Sequence, residues 1–179
     1  MRLFIGIPVS EEIKAKIKPL YQRLEEIGQN LNLVPLENLH FTLKFLGEIE
    51  EQKIPEIKPR LLKIKLKPFS ISLEKLGFFP NEQRIKVIWI GIKSKELVFL
   101  MREINSRLDY IRKDEHETEI PHLTLARVKS IQDKEQLLQL IKNNQSTIFG
   151  QMEIKHFFLY QSQLTSAGPI YKIIAEFKL

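Results

Sequence analysis

His40-Phe41-Thr42-Leu43-Lys44-Phe45-Leu46 and His122-Leu123-Thr124-Leu125-Ala126-Arg127-Val128 are two versions of one pattern. Each opens with the two-residue alternation of a strand. His and Thr therefore share one face, while Phe41 and Leu43, or Leu123 and Leu125, share the other. Working outward from the two stretches, the flanking elements recur as well. The first copy reads as an apolar strand over 2–9 and a helix over 11–27, then a strand over 39–46, a helix over 52–65 that accepts Pro55 and Pro59, and a strand over 69–78. In the first helix Ile13, Ile17, Leu20, Leu24 and Ile27 fall at three- and four-residue spacing, with Ser10 as N-cap and Gly28 as stop. The second copy reads as strand 85–92, helix 95–112, strand 122–128, helix 133–143 and strand 151–160, followed by a last strand over 170–178. The polar run from Tyr160 to Pro169 reads as a hairpin loop.

Such a repeat is too long for a solenoid and too short for two separate domains. The expected architecture is therefore α+β, one domain over 1–179 made of two pseudo-symmetric lobes. Each lobe is a small, mostly antiparallel sheet with helices on its outer face, and an active-site groove runs between them.

Composition narrows the chemistry. With 43% hydrophobic and 28% charged residues the chain is of ordinary globular type. It has no cysteine, which removes disulfides, thiolate nucleophiles and zinc sites that need sulfur. The N-terminal run Met1-Arg2-Leu3-Phe4-Ile5-Gly6-Ile7-Pro8 lacks the shape of a signal peptide. No stretch approaches the roughly 20 apolar residues of a membrane span. A cytoplasmic protein without a membrane partner is expected. The net charge of +6 favours anionic partners; a lysine-rich surface of the kind thermophiles carry accounts for it equally well.

Two of the 4 histidines stand in matched His-x-Thr-Leu settings. Facing each other across a groove, one protonated and one neutral, they supply the acid and the base that in-line displacement at phosphorus needs. A threonine two residues on donates a hydroxyl to a phosphate oxygen. His116 and His156 read as surface positions. A metal site fits poorly, since neither motif has a carboxylate at ligand spacing. Gly-x-Ser-x-Gly and phosphate-loop motifs are both absent. Arg127 has the forked donors to neutralise phosphate, although ideal strand parity turns it toward the core. Lys44 has the parity of His40 and Thr42, and reads either as added charge at the first site or as a solvated strand-edge lysine. Phe4, Phe78, Phe79, Trp89 and Tyr160 are candidates for stacking a base, or simply core.

The paired His-x-Thr motifs resemble the 2H phosphoesterase superfamily. Arg2 to Pro8, Glu37 to Glu48, Pro121 to Arg127 and Gly168 to Tyr171 narrow the resemblance to the RNA 2′,3′-cyclic phosphodiesterases, historically called 2′-5′ RNA ligases. The resemblance implies hydrolysis of RNA 2′,3′-cyclic phosphate ends to 2′-phosphates, with His40 as proton donor and His122 as proton acceptor. It further implies phosphate binding by Thr42, Thr124 and Arg127, neither metal nor cofactor, and RNA ends, tRNA fragments among them, as partner. Run backwards, the same pair joins such an end to a 5′-hydroxyl through a 2′-5′ linkage. The chain departs from the family at Gln161, where a Glu often precedes the serine, and at Ile120, where an aromatic or Thr often precedes the proline. A monomer is expected. Two other readings are an RNA-end binding module without turnover, and a phosphodiesterase acting on a small nucleotide such as ADP-ribose cyclic phosphate.

Overall fold

The computed structural model describes residues 1–27, 30–111, 120–131, 133–166 and 168–179. Gly28, His116 and the last residue expected of helix 95–112 lie outside them. The chain runs β1 (Arg2–Pro8), α1 (Glu11–Ile27), β2 (Leu31–Leu33), β3 (His40–Glu48), α2 (Ile54–Leu61), β4 (Phe69–Asn81), β5 (Arg84–Lys93), α3 (Lys95–Leu108), β6 (His122–Val128), α4 (Lys134–Asn143), β7 (Ile148–Ile154), β8 (His156–Thr165) and β9 (Gly168–Lys178). The α+β, two-lobed expectation holds. The strands form one antiparallel sheet in the order β7-β4-β5-β6-β3-β1-β8-β9, with β2 added beside β6.

The two motif strands stand at the middle of that order and divide it into halves. β3, β1, β8 and β9 make one lobe; β6, β5, β4 and β7 make the other. The lobes are not the two sequence copies. β4 closes the first copy yet pairs with β5 of the second, and β8 closes the second yet pairs with β1 of the first. The helices cross in the same way. α1 follows β1 but packs against β7 and α4, while α3 follows β5 but packs against β3 and α2.

Helix starts follow capping chemistry. Ser94 accepts the Leu97 N–H at 3.2 Å ahead of α3, and Asp133 accepts the Gln136 N–H at 2.9 Å ahead of α4. Each helix buries one stripe; in α3 it is Leu97, Leu100, Ile104 and Leu108.

Four local expectations need correction. The helix expected over 52–65 is a 3₁₀ turn at Glu51–Lys53 followed by α2, which stops at Leu61. Pro59 brings no N–H to the ladder, and the Leu62 and Lys63 N–H groups close the end on Lys58 and Arg60. Helix 95–112 ends at Leu108, where the Ile111 N–H turns back three residues and mimics helical spacing. The strand expected over 151–160 is two strands, β7 beside β4 and β8 beside β1. Lys155 stands alone between them and shifts the phase, so that buried positions pass from Ile154 to Phe157 and Leu159. The hairpin loop over 160–169 is mostly ladder, because its polar residues pair from Gln161 with Lys172 down to Thr165 with Gly168.

Gly77 is opposite Trp89, and a Cβ built on it would fall 2.4 Å from two indole carbons. Trp89 is the single tryptophan, so its emission reports the site. Gly77→Ala is expected to cost about 1–3 kcal/mol through overpacking and to shift the Trp89 spectrum. Urea unfolding followed by fluorescence checks it; an unchanged midpoint would mean that the ring moves aside freely.

Candidate active site

β3 and β6 are joined by one paired position, Phe41 opposite Leu123. Each is bulged directly after its threonine. Along β1, Gly6 pairs with Thr42 and Ile5 with Lys44, so Leu43 is the extra residue. Along β5, Trp89 pairs with Thr124 and Ile88 with Ala126, so Leu125 is the extra residue. A bulge resets strand parity. Both strands accordingly show the same burial: half-buried His and Thr, two consecutive buried residues, then an exposed one.

The bulges correct two expectations. Arg127, placed on the core face by ideal parity, is exposed and lines the groove. Lys44 is not a solvated lysine; it reaches the groove from the buried side of β3, not beside His40 on the open face. It is 2% exposed, with its Nζ 3.0 Å from Asn105 Oδ1 and 3.8 Å from an Asp109 carboxylate oxygen. Phe45 takes in the first strand the place that Arg127 takes in the second, and is 45% exposed.

The groove between the lobes encloses about 540 Å³ and is lined by His40, Thr42, His122, Thr124 and Arg127 together. All five residues singled out in the sequence thus share one cavity. Each imidazole is oriented in the same way. His40 Nδ1 lies 2.7 Å from the Asn38 carbonyl oxygen, and His122 Nδ1 lies 2.9 Å from that of Ile120. A carbonyl only accepts, so Nδ1 donates in both rings and Nε2 is the nitrogen free to exchange a proton. The acceptor at residue 120 is backbone, which is why the departure at Ile120 leaves the ring held.

Aromatic rings back both histidines. His40 lies 4.8 Å from the Phe4 ring and meets Tyr171 edge-on at 5.0 Å. His122 meets Phe79 edge-on at 5.1 Å, with Trp89 behind Phe79 at 4.9 Å. Tyr160 stacks on Phe4 at 5.0 Å. Of the aromatics named from sequence, Phe4 and Phe79 line the groove, whereas Trp89 and Tyr160 support them from behind and Phe78 does not line it. His156 lies at the start of β8 and faces Glu176 at 3.3 Å, as a surface residue. Sequence reasoning did not single out Tyr171 or Asn38. The Asn38 side chain donates to the Pro169 carbonyl at 2.9 Å and so ties the start of β9 to the His40 loop. Their signal was present: both lie within stretches that resembled the family.

Burial pushes both imidazoles below their ordinary value, and the backbone carbonyls oppose it; at His122 the charge of Arg127 pushes further down. Among the described residues, no three His or carboxylate groups are gathered as a metal site. The pair of rings, with two hydroxyls and a guanidinium, is equipped to move protons on and off a phosphate.

Two copies of one half-sheet, each turning a histidine and a threonine into a common groove, define a two-histidine phosphoesterase. The model of the LigT like phosphoesterase family matches residues 7–89 and again 92–171, one match for each copy. A relative from Methanocaldococcus jannaschii named RNA 2′,3′-cyclic phosphodiesterase is 41% identical, covering 98% of this chain and 99% of its own. One of the same name from Archaeoglobus fulgidus is 37% identical over 99% and 100%. A crystal structure from Thermus thermophilus superposes with a TM-score of 0.83 at 26% identity, covering 100% of this chain and 98% of that one. The chain belongs to the LigT like phosphoesterase family, and it is an enzyme.

The family resemblance implies His40 as acid and His122 as base; on that assignment the acid must be charged to act, and both rings are depressed. The alkaline limb of kcat/KM is expected below the ordinary imidazole value of about 6.5, and that of kcat at higher pH, because a bound anion stabilises the imidazolium. Arg127→Gln removes a charge that lowers His122, so the acid limb should move upward. Profiles of both parameters for wild type and variant check this; coincident limbs would count against the assignment.

Proposed function

We propose that this chain hydrolyses 2′,3′-cyclic phosphate ends of RNA to 2′-phosphates without a metal ion. The carrying observation is the matched pair of imidazoles, each held through Nδ1 by a backbone carbonyl beside a threonine in one groove. His122 takes a proton from water as its oxygen attacks phosphorus. The bond from phosphorus to the 3′ oxygen breaks, and His40 gives that oxygen its proton. Thr42, Thr124 and Arg127 hold the non-bridging oxygens as charge grows on them. The division of labour rests on the family resemblance and on one electrostatic difference: Arg127 favours the neutral form of His122, which is the form a base needs.

Microscopic reversibility extends the reading to ligation. With a 5′-hydroxyl in place of water, its oxygen attacks phosphorus from the same side, in line with the departing 3′ oxygen, His122 taking its proton and His40 protonating the 3′ oxygen, and a 2′-5′ linkage is left. The relatives named for RNA support RNA as substrate class, and the reading extends to any tRNA fragment that ends in such a phosphate. All five groups come from one chain, so the reading needs no second copy at the site and takes the whole of 1–179 as one functional domain. No helix among the described residues is long and apolar enough to cross a membrane, which agrees with a cytoplasmic site of action.

The test is a short RNA ending in a 2′,3′-cyclic phosphate, incubated with the protein in excess chelator. A 2′-phosphate product is expected, with kcat lowered about 10²- to 10⁴-fold in His40→Ala and in His122→Ala. Product that needs added metal would refute the metal-free mechanism. No turnover, with binding unchanged in both variants, would leave an RNA-end binding module instead.

A further inference from the structure

A cyclic phosphate diester carries one negative charge, and the proposed reaction, on which this inference rests, already places Arg127 against it. The groove holds more cation than that. Arg2, Lys44 and Arg102 also line it, and no Asp or Glu does among the described residues. Lys44 is engaged by Asn105 and Asp109. Arg2 and Arg102 are exposed and make no ion pair or side-chain hydrogen bond among the described residues. An arginine unpaired on the wall of an acid-free groove is a ready anion contact.

Arg2 stands on the His40 side. It precedes Leu3, which pairs with Gln161 of β8, and the next residue of β8, Ser162, pairs with Tyr171. Tyr171 is the ring that meets His40 edge-on. The phenol of Tyr171, pushed up by burial, is drawn partly back by the charges of Arg127 and Arg2, so both cations act on the neighbourhood of one ring. Arg2, Ser162 and Tyr171 all line the groove. Beside them Phe45, 6.1 Å from Phe4, offers an exposed flat face.

We infer that Arg2 and the Ser162 hydroxyl form a second anion site, which takes the phosphate on the 5′ oxygen of the terminal nucleotide. The cyclic phosphate occupies the 2′ and 3′ oxygens, so the chain continues only through the 5′ oxygen. A phosphate there is the one further anion that every RNA substrate presents at a fixed number of bonds from the reacting phosphorus. The site distinguishes a chain end, or any 5′-phosphorylated nucleotide, from a bare cyclic nucleoside phosphate.

Three substrates test it: a nucleoside 2′,3′-cyclic phosphate with a free 5′-hydroxyl, the same compound bearing a 5′-phosphate, and a dinucleotide with the cyclic end. Wild-type kcat/KM should be about tenfold higher on both phosphate-bearing substrates. Arg2→Gln should erase that gain while changing the bare nucleotide less than about twofold, and Arg2→Lys should keep part of it. For the dinucleotide, the slope of log kcat/KM against log salt should be shallower by about 0.7 in Arg2→Gln. Equal wild-type rates on all three substrates, a gain confined to the dinucleotide, or an equal loss on all three in Arg2→Gln would overturn the second site. Wild-type protein that turns over none of them would instead refute the proposed reaction.

Discussion

The groove depends on a pairing that is not continued. β3 and β6 share one bridge, Phe41 with Leu123, and then part. Had the ladder run on, backbone would fill the space between the lobes. Below the bridge β6 takes β2 as its neighbour instead, from Leu33 with Ala126 to Leu31 with Val128, so its N–H and C=O groups remain satisfied while β3 diverges. The bulges at Leu43 and Leu125 start at the same level. Each turns the next residue but one into the opening, Phe45 on one side and Arg127 on the other.

What lies behind each bulge differs between the lobes. Lys44 turns to the small Asn105 of α3. Its counterpart Ala126 leaves room on the α1 side, where the Tyr21 hydroxyl donates toward the carbonyls of Val34 at 3.1 Å and Leu125 at 3.4 Å. A helix side chain thus holds each bulged segment from the rear, Asn105 through the Lys44 ammonium in one lobe and Tyr21 through the Leu125 carbonyl in the other. This is symmetry of architecture without identity of packing. The inequality that reaches the rings lies in front of the bulges, where Arg127 lowers the proton affinity of His122 and Phe45 takes the matching place on the His40 side.

Much of this was legible in the chain, and the reasons are specific. The motif strands declare themselves because His40, Thr42, His122 and Thr124 interrupt apolar runs at period two, and β6 has the expected boundaries. Capping residues and apolar stripes marked the helices. The bulges were hidden: Phe41, Leu43 and Phe45 alternate perfectly, so nothing in the letters says that Leu46 replaces Phe45 in the core. Strand exchange was hidden too, since periodicity reports which face a residue takes and carries no information about which strand lies beside it. The break at Lys155 could have been read from the phase of its apolar neighbours, but a run of β-prone residues on both sides masked it.

Exchange also bears on how firmly the site is held. Because β4 and β8 each come from one sequence copy and are bonded into the other's lobe, each lobe is stitched together from strands of both copies, through the β4–β5 ladder in one and the β1–β8 ladder in the other. Both ladders adjoin the groove: Phe79 on β4 backs His122, and Tyr160 on β8 backs the Phe4 that touches His40. Loosening either ladder within its lobe would therefore unpair the very strands whose aromatic rings position the histidines. The Asn38 contact to Pro169 adds a tie across the His40 side, so that the loop holding the ring's carbonyl acceptor and the strand bringing Tyr171 move together. Proton transfer between fixed groups depends on separations set to fractions of an ångström. A fold whose two halves are threaded through each other supplies that constancy from the backbone, and leaves the rims of the groove free to vary with the substrate.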